Sequence, residues 1–302
     1  MRLYYLVSLI SIVCCSPKDD NIVVYTTSGP ITGHPVTAVD KRSNTTIDYT
    51  TFPTVPFAKP PVGPLRFRAP QPLEAGEIIN TTGIAYERVC YQLGDWWSIV
   101  PDSPVEADED CLYLHVHVPG VWPPQEPLPV MIWFTGGAFV FGAGAMYGPD
   151  YWMGEDIILV TVNYRLGPFG FLSLGIEDAA GNQGMLDQRL AMVWVRDNIA
   201  TLGGDPDLVT IAGESAGSFS LGYHLVSPGS QGLFRCVSRN FFKNSIILPC
   251  YDRRVIGQSG MGGLAPSYHH WQADQAKRLG NEMSLLVGCF SFNIHEELEC
   301  MR

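Results

Sequence analysis

The chain has 302 residues, enough for one large domain or two, of which 46% are hydrophobic and 16% are charged. Its formal net charge of −11, without any run of lysine or arginine, argues against nucleic acid or an anionic membrane surface as a partner. After the first fifteen residues, no stretch reaches the ~18 apolar residues that a transmembrane helix requires.

The N-terminus has the pattern of a secretory signal peptide. Arg2 is followed by an apolar run over residues 3–15 and then by small residues. We predict that residues 1–16 are removed and that residues 17–302 belong to a secreted protein, a membrane anchor being the alternative. Secretion permits disulfides, and the sequons at Asn44 and Asn80 fit glycosylation in the same compartment.

Hydrophobic periodicity predicts alternating strands and helices. In chain order they are a hairpin over 21–34 around Gly29-Pro30, an extended proline-rich segment over 54–67, strands over 112–119, 129–134 and 157–162, a helix over 184–202, a strand over 208–212 with a helix after it, and a helix over 271–279. Two of the strands are continuously apolar, as strands covered on both faces are. This alternation predicts an α/β fold with a mostly parallel central sheet flanked by helices.

The strongest chemical signal is the motif Gly213-Glu-Ser-Ala-Gly217, which lies between an apolar run and an amphipathic run. This order predicts a strand, a very tight turn and a helix, with Ser215 at the apex as a nucleophile. A bare G-x-S-x-G pattern arises by chance about once in ten chains of this length. The assignment therefore needs other parts of the same machinery.

Acyl transfer also needs backbone N–H groups that face the developing oxyanion. Ala216, directly after the nucleophile, supplies one of them. The segment Gly136-Gly-Ala-Phe139 follows the apolar run that ends at Phe134, and it predicts the loop that supplies the others. An ordinary glycine-rich turn is the alternative.

Six longer segments extend this pattern: residues 58–67, 109–114, 163–172, 181–189, 203–206 and 213–218. Through them the chain resembles the type-B carboxylesterase/cholinesterase family of α/β-hydrolases over about residues 22–235, and again from Arg254. The resemblance implies an α/β-hydrolase that acts on small-molecule esters without a metal or a cofactor. The oligomeric state stays unknown.

The resemblance also implies roles for particular residues. Ser215 would be acylated, and Gly137, Ala138 and Ala216 would form the oxyanion hole. The implied disulfides are Cys90–Cys111 and Cys289–Cys300, and the implied structural ion pairs are Arg66–Glu109 and Arg165–Asp187. The chain departs from the family at Thr135, where an aromatic residue or histidine is usual, and at Ala138, which replaces a glycine. It also lacks the tryptophan that cholinesterases use to bind choline, since Trp96 and Trp97 lie elsewhere.

The acid and the histidine of the family lie far beyond the nucleophile, and neither is predicted within this chain. We therefore expect an N-terminal portion of the fold, truncated before its C-terminal strands. His224 lies in a family segment and is interpreted as structural. Asp252 with His269 or His270 has the right chain order for an improvised triad, although no family motif supports it.

Residues 236–253 interrupt the resemblance and carry Cys236 and Cys250. A retained intron or gene-model error is the preferred hypothesis, and a lineage-specific surface loop is the alternative. The predicted function is that of a secreted serine carboxylesterase that is incomplete as given. The alternatives are a cholinesterase-like adhesion protein without catalytic activity and an inactive truncated product.

Overall fold

A computed structural model describes residues 21–40, 42–74, 88–92, 106–235, 254–260 and 272–302. The predicted signal peptide, the sequon at Asn80 and the insert at 236–253 lie outside these residues. The same is true of Asp252, His269 and His270, so the improvised triad stays a prediction.

The strands of the described residues are β1 (Ile22–Thr26), β2 (Gly29–Val39), β3 (Thr46–Pro56), β4 (Arg88–Cys90), β5 (Glu106–Asp108), β6 (Tyr113–Pro119), β7 (Leu128–Phe134), β8 (Ile158–Val162), β9 (Ser173–Ile176), β10 (Ala179–Ala180), β11 (Gly204–Glu214) and β12 (Val255–Gln258). Eight of them form one sheet in the order β1-β2-β3-β6-β8-β7-β11-β12. The pairs from β8 to β12 are parallel, and those from β1 to β8 are antiparallel. The expected parallel order therefore describes one half of a mixed sheet.

The α-helices are α1 (Gly167–Phe171), α2 (Gln183–Asn198), α3 (Ala216–Val226), α4 (Ala273–Leu286) and α5 (Ile294–Met301). The predicted helix over 184–202 is α2 followed by a 3₁₀ turn at Ile199–Leu202, and Gly203 ends it in a left-handed conformation with φ of 81°. Prolines keep most of 57–74 irregular apart from the 3₁₀ turn Gly63–Leu65.

Strand β3 contains an extra residue opposite β6. Phe52 pairs with Val116 and Val55 pairs with Leu114, so three steps on β3 match two on β6. Thr54 lies in the bulge with φ of 53°, which is uncommon for a β-branched residue. Its backbone N–H donates to Nδ1 of the buried His115, which satisfies the amide that leaves the ladder.

The main core lies between the sheet and helices α2 and α3. It includes Val130, Ile132 and Phe134 of β7, together with Val195 and Leu221 from the two helices, and all of these are essentially inaccessible to water. Burial of this apolar area provides the main favourable free energy of folding. The strand end at Phe134 and the start of α3 are thereby fixed against each other.

Two ion pairs occur where the resemblance implied them. Arg165 donates to Asp187 through Nε at 2.8 Å and Nη2 at 2.7 Å, and both side chains are buried. Arg66 pairs with Glu109 in a less buried position. Since a buried charge without its partner costs about 3–5 kcal/mol, the first pair fixes the chain after β8 to helix α2.

The residues on either side of the insert meet. The backbone N–H of Arg254 donates to the carbonyl of Arg235, and the Arg235 N–H donates to the carbonyl of Val209 at 2.8 Å. Arg235 and Arg254 are thus hydrogen-bonded neighbours at the edge of β11. A chain without residues 236–253 would need little rearrangement here.

The C-terminal helices present apolar side chains to water. Leu286 is 86% exposed and Phe292 is fully exposed. The Cys289–Cys300 disulfide joins the first half of the α4–α5 loop to α5. Within the ranges given above, no helix combines the length and the hydropathy needed to cross a membrane.

Candidate active site

Ser215 stands at the turn between β11 and α3, as the motif predicts. Its backbone has φ of 50° and ψ of −120°, a sparsely populated conformation that costs about 1–3 kcal/mol. The turn is held on both sides, because the Ser215 N–H donates to Gln258 O at 2.9 Å and Phe219 N–H donates to Ser215 O at 2.9 Å. The nucleophile candidate is therefore fixed by β12 and by the first turn of α3.

The two motif glycines allow helix α3 to start against the end of β7. A Cβ atom on Gly217 would lie 2.0 Å from the carbonyl oxygen of Phe134. A Cβ atom on Gly213 would lie 2.7 Å from the carbonyl carbon of Gly217. Neither position tolerates a side chain without movement of the backbone, so the strand-to-helix turn depends on glycine at both.

Residues 136–142 form a loop, called the oxyanion loop below, directly beside the nucleophile. A Cβ atom on Gly136 would lie 3.2 Å from Ser215 Cβ. The loop turns sharply, because Val140 N–H and Phe141 N–H both donate to Gly137 O, at 2.9 and 3.1 Å. Gly137, Ala138 and Phe139 all have positive φ, of 103°, 53° and 62°.

The N–H groups of Gly137, Ala138 and Ala216 donate no hydrogen bond to any other residue that the structure describes. Ala216 is the first residue of α3, where the positive end of the helix dipole lies. Strained backbone that leaves several N–H groups open beside a serine hydroxyl is suited to bind an oxyanion. The structure places Gly136, which directly precedes Gly137 and Ala138, against Ser215, and Ala216 follows Ser215 in the chain.

The Ser215 side chain makes no hydrogen bond to any described residue. His224, the histidine nearest to it along the chain, is buried in α3, and its two ring nitrogens contact Ser230 Oγ at 2.9 Å and Gln188 Oε1 at 3.0 Å. Burial lowers the pKa of His224 to about 4. Its contacts agree with the structural interpretation, and they leave it no free nitrogen for Ser215.

The other described histidines are also engaged elsewhere or exposed. Thr54 N–H donates to His115, and Thr51 Oγ1 lies 3.1 Å from His117 Nδ1. Burial lowers the pKa of His115 to about 3 and that of His117 to about 4. His295 is exposed on α5. No group of three or more histidine, cysteine, aspartate or glutamate side chains among the described residues is arranged to hold a metal.

Three side chains support the oxyanion loop without any signal in the sequence that identifies their role. Tyr164 Oη donates to Thr135 O at 2.8 Å, at the start of the loop. Gln92 bonds the backbone of Gly142 at its end, and Asn163 Oδ1 accepts from Gly144 N–H at 2.9 Å. These contacts join segments far apart in the chain, so local patterns do not predict them.

The predicted modification sites are placed as follows. Cys90 and Cys111 form a disulfide, as do Cys289 and Cys300. Asn44 is exposed in the β2–β3 turn with φ of 55°, a position that a glycosyltransferase could reach.

Comparison with known proteins gives consistent matches. The sequence model of the Carboxylesterase family matches residues 20–238. Carboxylesterase 5A of Felis catus is 35% identical over 302 residues, covering 97% of this chain and 51% of that protein. Juvenile hormone esterase of Tribolium castaneum is 44% identical over 223 residues, covering 73% of this chain and 36% of that protein. Para-nitrobenzyl esterase of Bacillus subtilis (strain 168) is 46% identical over 187 residues, covering 60% of this chain and 37% of that protein. The chain spans about half the length, or less, of these relatives.

Proposed function

Because this chain belongs to the carboxylesterase family, and therefore has the α/β-hydrolase fold, we propose that it provides the nucleophile and oxyanion hole of a serine carboxylic-ester hydrolase. The observation that carries the proposal is the position of Ser215, strained at the β11–α3 turn and adjacent to Gly136. Relatives that are named as esterases and hydrolases support the same reaction class.

The proposed reaction proceeds through an acyl-enzyme. Ser215 Oγ forms a bond to the carbonyl carbon of the ester, and its proton passes to a general base. The N–H groups of Gly137, Ala138 and Ala216 bind the tetrahedral oxyanion. The C–O bond to the alcohol then breaks, and the alcohol leaves with the proton. Water, deprotonated by the same base, releases the carboxylic acid and restores the Ser215 hydroxyl.

We infer that the general base is a histidine outside residues 1–302, and that an acidic residue beyond them orients it. The contacts of His224 support this inference, since both of its nitrogens are used within α2, α3 and the following turn. In this proposal, none of the histidines that the structure describes is the proton acceptor of Ser215. The same observation favours the second candidate, an inactive or purely binding product.

We also propose that the protein is secreted and glycosylated at Asn44 and Asn80. Two disulfides support this location, because such bonds persist mainly in oxidising compartments. The substrate class is a small-molecule carboxylic ester. A choline ester is disfavoured by the missing tryptophan noted above.

The test is covalent labelling with a fluorophosphonate probe, followed by peptide mass spectrometry. We expect label on Ser215 in a product that extends beyond Arg302 to include the acid and the histidine, and none in the 302-residue chain. S215A should abolish the label, whereas S227A, a serine at the end of α3, should keep it. Labelling of the 302-residue chain would disprove the inference that its general base lies outside it. Absence of label in the longer product would favour a non-catalytic binding protein.

A further inference from the structure

The oxyanion loop ends at Gly142, and its conformation depends on how that residue is held. Gly142 has φ of 122°, and a Cβ atom there would lie 2.6 Å from Gly136 O and 2.7 Å from Thr135 Oγ1. The two ends of the loop are therefore in contact. A displacement of Gly142 would move Gly136, which lies against Ser215.

Gln92 holds Gly142 by both backbone groups. Its Oε1 accepts from Gly142 N–H at 2.7 Å, and its Nε2 donates to Gly142 O at 3.1 Å and to Cys90 O at 2.9 Å. The three bonds fix the orientation of the amide, because a reversed amide would place NH₂ against an N–H donor and an oxygen against two carbonyls. No other residue type of this length offers one acceptor and two donors in that arrangement.

Gln92 is itself anchored to the sheet. It lies two residues after Cys90, whose disulfide to Cys111 attaches this segment to the start of β6. A second connection runs through Asn163, which donates from Nδ2 to Arg88 O at 2.8 Å and accepts from Gly144 N–H. The segment 88–92 is therefore a fixed support for the far end of the oxyanion loop.

We propose that Gln92 is a positioning residue for ester hydrolysis: it holds the oxyanion loop in the conformation that directs the Gly137 and Ala138 N–H groups at the reacting carbonyl. This rests on the proposed function of that loop. The role differs from a general contribution to stability, because the oxyanion forms in the transition state and is absent from the bound substrate. Loss of the clamp should lower kcat and leave KM nearly unchanged.

The experiment compares Q92A and Q92E with the unaltered protein and with Q71A. Gln71 is exposed, and among the described residues its side chain bonds Ala69 O at 3.3 Å, so it serves as the matched control. The first measurement is amide hydrogen exchange of residues 136–142 by mass spectrometry, which needs no catalytic activity. The second is kcat and KM for a short-chain aryl ester, in whichever form of the protein the fluorophosphonate labels.

For Q92A we expect exchange in the oxyanion loop to accelerate about tenfold or more and kcat to fall about 10- to 100-fold, less than the ~10²–10³-fold loss for a missing oxyanion donor. Q92E keeps the acceptor but places a carboxylate oxygen against the carbonyls of Gly142 and Cys90, so it should be impaired at least as strongly as Q92A. Q71A should match the unaltered protein.

Unchanged exchange in Q92A would overturn the proposal, and so would a change in KM with an unchanged kcat. If no form of the protein is labelled or active, the proposed function fails, while the exchange measurement still decides whether Gln92 holds the loop.

Discussion

The two halves of the candidate site are built by different means. The turn at Ser215 is held by backbone-to-backbone contact: glycines at 213 and 217 let α3 start within van der Waals distance of the end of β7. The oxyanion loop is held largely by side chains from other segments, namely Tyr164 at its start and Gln92 at its end. The first arrangement depends on glycines within five consecutive residues, and the second depends on side chains from distant segments.

This difference decides how each half should respond to change. A methyl group at the turn meets backbone that cannot move aside, so the expected loss is large and structural. Removal of a distant support leaves the core packed and alters the loop alone.

The largest effect is expected for G217A. The new Cβ atom would lie 2.0 Å from Phe134 O, so β7 and α3 would have to separate. We expect a loss of more than ~4 kcal/mol in the free energy of unfolding, among the most severe effects of single substitutions. Urea denaturation followed by circular dichroism would measure it, provided that the variant is obtained folded.

The matched control is G222A in the same helix. A Cβ atom on Gly222 meets nothing within 4 Å, and alanine is the better helix former by ~1 kcal/mol. G222A should therefore be neutral or more stable than the unaltered protein. Equal losses in the two variants would show that the turn does not depend on close backbone contact.

A smaller effect is expected from removal of the Cys90–Cys111 disulfide by the double substitution C90S/C111S. With a sequence separation of 21 residues, the chain-entropy model predicts a loss of roughly 3 kcal/mol. Because this bond also anchors Gln92, hydrogen exchange in residues 136–142 should accelerate.

The control is C289S/C300S, which opens a loop with a separation of 11 residues at a distance from the site. Its loss of stability should be similar, about 3 kcal/mol by the same model. Exchange in the oxyanion loop should not change. If both double variants accelerate that exchange equally, the anchoring role of Cys90 is wrong.

The third prediction concerns the loss of stability at low pH. His224, which supports α3, has its pKa lowered by burial to about 4, below the unperturbed value of 6.5. Between these two values the unfolded chain binds a proton that the folded chain does not, so stability is lost as the pH falls from about 6.5 towards 4. Burial also lowers the pKa values of His115 and His117, so these residues add to the loss of stability at low pH.

The substitution H224Q isolates this contribution. From pH 7 to pH 5, the free energy of unfolding should fall by about 2 kcal/mol less in H224Q than in the unaltered protein. Urea denaturation at each pH provides the values. Parallel pH profiles would mean that His224 is charged in the folded state or already accessible to water. The Gln92 clamp has no titratable group, so Q92A should leave the profile unchanged.

Much of the fold could be predicted from local patterns. The continuous apolar runs correspond to β7 and β8, and the strand before Ser215 is β11, although it begins at Gly204 rather than at residue 208. The helix predicted over 271–279 ends later in the structure, at Leu286. The prediction stopped too early because Leu285 and Leu286 are apolar but exposed, which obscures the amphipathic pattern. The hairpin predicted over 21–34 is the antiparallel pair of β1 and β2. The antiparallel pairing of β3, β6 and β8 was not predicted, since strand direction depends on connections that periodicity does not report.

The site divides in the same way. Ser215 and the oxyanion loop could be located because their signals are contiguous glycine-containing motifs. Gln92 could not, because it lies 50 residues from Gly142 in the chain and its importance comes from contacts that only the folded chain creates.

The bulge at Thr54 has a consequence for the parity of strand β3. In a regular strand, side chains separated by an odd number of positions face opposite sides of the sheet. Phe52 and Val55 are three positions apart, yet both belong to the main core. Deletion of Thr54 would leave Val55 two positions after Phe52, so a regular pairing with β6 would still keep both side chains in the main core. A strand that kept Thr54 without the bulge would instead turn Val55 to the side occupied by His115 and His117. The hydrogen bond from the Thr54 N–H to the neutral ring of His115 supports this bulge. The bulge in turn keeps Phe52 and Val55 on the same side of the sheet.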